Sequence, residues 1–148
     1  MRCCKNKPDA VAWITGGEEV PQLSGCVQFH QENGCVLIEA KILGLPKLSE
    51  TGFFGFHIHQ GVDCSGVGFS GTEGHYNPTE RKHPEHAGDL PPLLWCKGNA
   101  YLSVKTDRFC VDEIIGRTVV IHSNPDDFHT QPAGNAGKKI ACGVIQRR

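Results

Sequence analysis

A chain of 148 residues with a formal net charge of −1 offers no global electrostatic attraction for nucleic acid or for an anionic membrane. Hydrophobic residues make up 39% and charged residues 21%, enough apolar material for one core, and no run is long enough to cross a membrane as a helix. With 18 glycines, 9 prolines and little sustained helical periodicity, the composition favours short strands joined by turns in a single all-β domain covering residues 1–148.

The start, MRCCKNKPDA, lacks the apolar stretch of a secretory signal. The chain as written therefore reads as cytoplasmic, or as periplasmic or extracellular if it is a processed form. Adjacent Cys3 and Cys4 could hold a soft metal, but a frayed terminus with exposed thiols is the simpler reading.

DAVAWITGG, residues 9–17, alternates as a strand and ends in glycines. GCVQFHQ and CVLIEAKILGL form a hairpin across ENG, and a two-residue turn at Asn33 and Gly34 sets Cys26 opposite Lys41. Cys26 and Cys35 are then not disulfide partners, and most of the eight cysteines read as small buried hydrophobes or free thiols. TGFFGFHIH is strand-like. In it Phe54, Phe56 and Ile58 share one face while His57 and His59 share the other. The irregular stretch from Gln60 to about Pro92 is longer than a connection requires, which points to function. LLWCKGNAYLSVK reads as a second hairpin turning at Lys97 to Asn99. Its apolar part LPPLLW, with Trp95, could fill the core or form a subunit contact. IIGRTVVIH is a strand with Val119 and Ile121 on one face and Thr118, Val120 and His122 on the other. A second glycine- and proline-rich loop, SNPDDFHTQPAGNAGKK, precedes a last strand, IACGVIQ.

The residues able to bind metal in these loops and flanking strands are His57, His59, His75, His83, His86, Asp89, His122 and Asp126. Imidazole suits copper and zinc, and imidazole with carboxylate suits zinc particularly. His57 and His59 with a third histidine such as His122 could make a planar, copper-like set. His83, His86 and Asp89 could make a zinc corner short of one ligand, with His75 lying between the two groups. His30 and His129 read as structural or solvated.

The motifs GFHIH, GHYNP, HAGDL, IIGRTVVIH and GNAGKKIACGVI, in that order from about Asp9 to Gln146, resemble the copper/zinc superoxide dismutase family. The resemblance implies an eight-stranded antiparallel Greek-key barrel, a sandwich of immunoglobulin-like kind, with long metal-binding and electrostatic loops. It implies copper held by His57, His59, His75 and His122, and zinc held by His75, His83, His86 and Asp89, with His75 bridging the two. Asp126 resembles the aspartate that links a copper ligand to a zinc ligand. Cys64 and Cys142 match the family's disulfide, with Cys64 spaced from His59 as in the bacterial branch. The implied activity is an enzyme converting superoxide to dioxygen and hydrogen peroxide by copper redox cycling, with superoxide as substrate; the LPPLLW segment leaves both a homodimer and a monomer open.

Two departures stand out against that family. Lys139, after Lys138, stands where an anion-guiding arginine is usual, so it keeps the charge and loses the planar fork. The expectation is a lowered rate that Lys139→Arg would raise. Only Pro84 and Glu85 separate His83 from His86, a short loop that implies strain and weakened zinc affinity. Cys3, Cys4, Cys26, Cys35, Cys96 and Cys110 have no place in the family's chemistry. A copper-binding or copper-delivery protein with little turnover is therefore the alternative, and a relative that has lost its metals is disfavoured by the retained histidines.

Overall fold

The structure is a computed structural model that describes residues 7–148; Cys3 and Cys4 lie outside the described residues. Among the described residues there are nine strands. In chain order they are β1 (Ala10–Gly16), β2 (Ser24–Gln31), β3 (Val36–Leu43), β4 (Phe53–Phe54), β5 (Phe56–His59), β6 (Leu93–Leu94), β7 (Ala100–Thr106), β8 (Thr118–His122) and β9 (Lys139–Arg147). A 3-10 segment, Val67–Thr72, lies in the loop after β5, and one helical turn, α1 (Val111–Ile114), precedes β8. No described helix is long and apolar enough to cross a membrane.

Seven strands form one curled antiparallel sheet in the order β5-β8-β9-β1-β2-β3-β7, and β4 pairs with β6. The pairs β5–β8, β9–β1 and β3–β7 join strands distant in sequence, the crossings of a Greek key. β4 runs into β5 at one edge while β6 packs beside β7 at the other, so the short pair spans the gap and the sheet curls toward closure. Alternation decides what fills the inside. Val27 and Phe29 of β2, Val36, Ile38, Ala40 and Ile42 of β3, and Phe54, Phe56 and Ile58 of β4 and β5 are all fully buried in one core cluster.

The ENG turn has the register expected of it. Glu32 N–H donates to Cys35 O at 2.8 Å and Cys26 lies opposite Lys41. The second hairpin is only partly one: Cys96 and Asn99 pair at the turn, but β6 then joins β4 and β7 joins β3. The strand expected from IIGRTVVIH begins only at Thr118. Ile114 belongs to α1, where Glu113 reaches back to the Cys110 N–H, and Gly116 at φ 87 breaks the chain before β8. Free Cys26 and Cys35 are half-buried, and free Cys96 and Cys110 are exposed, so these four are free thiols and not buried hydrophobes. Trp95 packs against the core with its Nε1 donating to Leu45 O at 2.8 Å, which places the indole in the barrel wall.

The outer edge of β5 is covered by the loop that follows it. Ile58 N–H donates to Gly88 O and Tyr76 N–H to Ile58 O, each at 2.8 Å, so residues 75 to 89 run alongside the strand. A side chain at Gly88 would collide with the Ile58 carbonyl, which is why the approach needs glycine there. This pairing sets His75 beside His59 and Asp89 beside His57.

Candidate metal centre

Alternation along β5 turns His57 and His59 away from the core, but that face is almost closed to solvent. They are 0% and 2% exposed because the two long loops fold over that face. His122 at the end of β8 joins them, displaced by an irregularity in the β8–β9 register between Ile121 and His122. His75, His83, His86 and Asp89 arrive on the loop after β5, and Asp126 on the loop after β8. Every one of the eight candidate residues therefore converges on one region. His30 stands apart, 3.5 Å from Glu39, and His129 lies on the surface near Asp127.

Two groups of four emerge, with one shared member. His57, His59, His75 and His122 bring one nitrogen each to within 4.8 Å of one another, and so do His75, His83, His86 and Asp89 with their ligand atoms. The ring atoms left without hydrogen-bond partners reveal the orientation. Among the described residues the orphaned buried side-chain atoms include His57 Nδ1, His75 Nε2 and His83 Nδ1. Orphaned buried polar atoms carry a real cost, and bare imidazole nitrogens converging on a shared point are donors for a cation.

Asp126 fixes two of these rings. His57 Nε2 donates to Asp126 Oδ2 and His83 Nε2 to Asp126 Oδ1, each at 2.8 Å, so each opposite Nδ1 presents its lone pair to its own group. A side chain at Gly134, which sits at φ 69, would strike both Asp126 Oδ1 and His83 Nε2. Elsewhere, His59 Nδ1 donates to Glu73 O at 2.8 Å, leaving Nε2 3.1 Å from His122 Nε2. His75 is turned so that Nδ1 lies 2.8 Å from Asp89 Oδ1 and 3.3 Å from His86 Nδ1, while Nε2 belongs to the other group. One imidazole thus offers one nitrogen to each group. His83 Nδ1 approaches Asp89 Oδ2 to 3.1 Å without the alignment of a hydrogen bond.

The electrostatics suit cation binding. Burial pushes His57, His59, His86 and His122 below the usual histidine value, His122 to about 3, so these rings are neutral and able to ligate near neutral pH. Burial acts the opposite way on the carboxyls of Asp89 and Asp126. It is outweighed, by His75 and the neighbouring histidines at Asp89, and by hydrogen bonds from His57, His83 and the Phe128 N–H at Asp126, so both stay ionised. Four converging imidazoles suit copper or zinc, and three imidazoles with a carboxylate suit zinc.

A cleft of about 590 Å³ opens onto His59, His75, His86 and His122, and Lys139 lies in its wall. Lys139 Nζ donates to Thr72 Oγ1 at 2.7 Å and to Glu73 O at 2.8 Å. The Cys64–Cys142 disulfide ties the loop after β5 to β9, across 78 residues of sequence. Other anchors had no signal in the sequence. Gln131 accepts from His83 N–H at 2.9 Å and donates to His83 O at 2.7 Å, joining the two loops, and Arg108 Nη1 donates to Pro84 O at 2.8 Å and His86 O at 3.1 Å.

The family described as copper/zinc superoxide dismutase (SODC) matches residues 23–145. The chain is similar to superoxide dismutase [Cu-Zn] 2 of Aquifex aeolicus, 39% identical over 140 residues that cover 84% of this chain and 80% of that one. It is also similar to superoxide dismutase [Cu-Zn] 3 of Arabidopsis thaliana, 37% identical over 92% of this chain and 88% of that one. A relative from Legionella pneumophila, superoxide dismutase [Cu-Zn], is 34% identical over 85% of this chain and 80% of its own length.

Proposed function

The chain belongs to the copper/zinc superoxide dismutase family, and from that premise we propose how its residues divide the work. The protein is an oxidoreductase acting on superoxide, with copper and zinc as its metals. His57, His59, His75 and His122 hold copper; His75, His83, His86 and Asp89 hold zinc. The observation that carries the division is the position of His75, a member of both groups, whose Nδ1 lies against Asp89 and His86 while its buried Nε2 has no protein partner. Copper, when bound, supplies the two oxidation states through which superoxide ions in pairs become dioxygen and hydrogen peroxide, whereas zinc has no redox chemistry.

The chain's own residues do the rest. Lys139 draws the anion into the cleft, where its charge acts at short range in a partly desolvated wall. His75 lines the cleft, and its buried Nε2, without a protein partner, is the atom at which a proton can be held for the forming peroxide. Asp126 keeps His57 and His83 in the tautomers that ligation needs. Self-association into a homodimer belongs to the same proposal, supported by the apolar cross-strand pair Phe53 and Leu94, 39% and 52% exposed. A monomer-sized boundary in sedimentation velocity would remove that part of it.

The test is catalysed superoxide decay by protein reconstituted with copper and zinc, with both metals quantified on the same sample. Fast turnover that falls several-fold between ionic strengths of about 0.01 and 0.15 M is the expected result, because Lys139 is then screened. Full copper occupancy without turnover would replace the dismutase by a copper carrier, a reading that family membership does not favour.

A further inference from the structure

Lys139 is the sole Lys or Arg among the described residues lining the cleft. An ammonium has three protons, and two of them are committed here, one to Thr72 Oγ1 at 2.7 Å and one to Glu73 O at 2.8 Å. Thr72 is 0% exposed, and its own hydroxyl proton goes to Phe69 O at 2.8 Å. The hydroxyl therefore faces Lys139 with lone pairs only. Glu73 O accepts from His59 Nδ1 as well, at 2.8 Å, so a single carbonyl oxygen sets the position of both the ammonium and one ring of the copper group. That carbonyl is aimed by a left-handed backbone at Glu73, φ 58 and ψ −146.

A lysine on a flexible four-carbon stem is a poorly oriented cation by itself. We propose that Thr72 is the positioning residue for anion capture. With the Glu73 carbonyl it seats Lys139 Nζ so that the third N–H is left for a small monoanion entering beside the copper group. The inference rests on the copper reading above. It adds a specificity device: the seat admits an anion that can take one N–H from a fixed ammonium, the chemistry shared by superoxide and azide. It also supplies the orientation that lysine lacks, so Lys139→Arg gains less than the side chains alone imply.

The experiment compares Thr72→Val, which keeps the shape and loses the hydroxyl, with Thr72→Ser, which keeps the hydroxyl, in protein loaded with copper and zinc. Azide affinity is read from the charge-transfer band it produces with cupric ion, and the anion-free electron paramagnetic resonance spectrum checks the metal site itself. Loss of one charge-assisted hydrogen bond should weaken azide roughly tenfold in Thr72→Val, with an unchanged anion-free spectrum, while Thr72→Ser stays close to the parent. Thr72→Ala carries the same expectation should the valine variant fail to load copper. In a Lys139→Met background, Thr72→Val should cost nothing further. Parental azide affinity in Thr72→Val, equal losses in the valine and serine variants, or additive losses in the double variant would each overturn the proposal. A parent protein that takes up no copper, or whose copper gives no azide band, overturns the metal reading and this inference with it.

Discussion

The Asp126 carboxylate accepts from His57 Nε2, His83 Nε2 and the Phe128 N–H, each at 2.8 Å. Asp126→Asn leaves one acceptor oxygen for two ring N–H groups, so one ring must turn or change tautomer. Both metals should then bind roughly 10- to 100-fold more weakly in chelator competition; unchanged affinity for both would show that the loops orient the rings unaided. A pH prediction follows from the buried histidines of the metal-free protein. Burial holds His122 at about 3 against an ordinary 6.5, and lowers His57 and His59 in the same direction. Below pH 6.5 the unfolded chain takes up protons that the folded chain refuses, so stability falls with falling pH, with a slope that approaches about 1.4 kcal/mol per unit for His122. Asp89 and Asp126, held below 3.8, act in the same sense at lower pH, where the unfolded chain again protonates first. Urea midpoints of metal-free protein should therefore drop between pH 7 and 5, and a flat profile would contradict neutral buried rings. The histidines were legible one by one, because alternation along FHIH and the clustering in HPEHAGD are visible in the chain. Thr72 and the Glu73 carbonyl were not, because a lone threonine has no pattern and a backbone oxygen has no letter.

Among the elements, the loop holding His83 and His86 shows how a short segment can be supported from outside. The compact spacing led to an expectation of strain and weak zinc binding. The folded loop receives Arg108 from the connection after β7 and the reciprocal pair with Gln131 from the loop after β8, supports against which that expectation is to be measured. Arg108 is exposed, and each of its hydrogen bonds contributes about 0.5–1.5 kcal/mol. Arg108→Ala should consequently speed zinc release by roughly tenfold, measured by transfer to a chromogenic chelator, and leave copper release unchanged. Equal acceleration for both metals would mean that the substitution loosens the whole site. These supports come from residues 22 to 48 positions away from their partners, beyond what local spacing can reveal. The first hairpin was legible for the opposite reason: Asn33 and Gly34 fix the register locally, and Cys26 falls opposite Lys41 as the turn requires. The second hairpin parts after Cys96 and Asn99 because Leu93 and Leu94 pair with Phe54 and Phe53 instead, a tertiary preference that overrides the turn.

Across the whole molecule, the disulfide joins a loop that shapes the cleft to a central strand. Cys64 precedes the Val67–Thr72 segment, and Cys142 lies in β9 between β8 and β1, 1% exposed. Its two consequences act on different states and can be separated. In the unfolded chain it closes a loop of 78 residues, which stabilises the fold by up to about 4.5 kcal/mol in the chain-entropy account. In the folded protein it holds the segment carrying Thr72 and Glu73 against the sheet, where few apolar contacts do so: Val67 is 98% exposed and Val62 64%. Cys64→Ala with Cys142→Ala should lower the melting temperature by roughly 10–15 °C, given about 2–4 °C per kcal/mol at this size. Native-state hydrogen exchange distinguishes the two effects. Amides of residues 61 to 73 should exchange faster through local opening, while those of β2, β3 and β7 should lose protection only by the global decrement, since those strands pair among themselves. Uniform loss of protection would mean that the disulfide acts through the unfolded chain alone. A melting temperature lowered by less than about 2 °C would mean that opening the 78-residue loop frees the unfolded chain far less than the chain-entropy account gives.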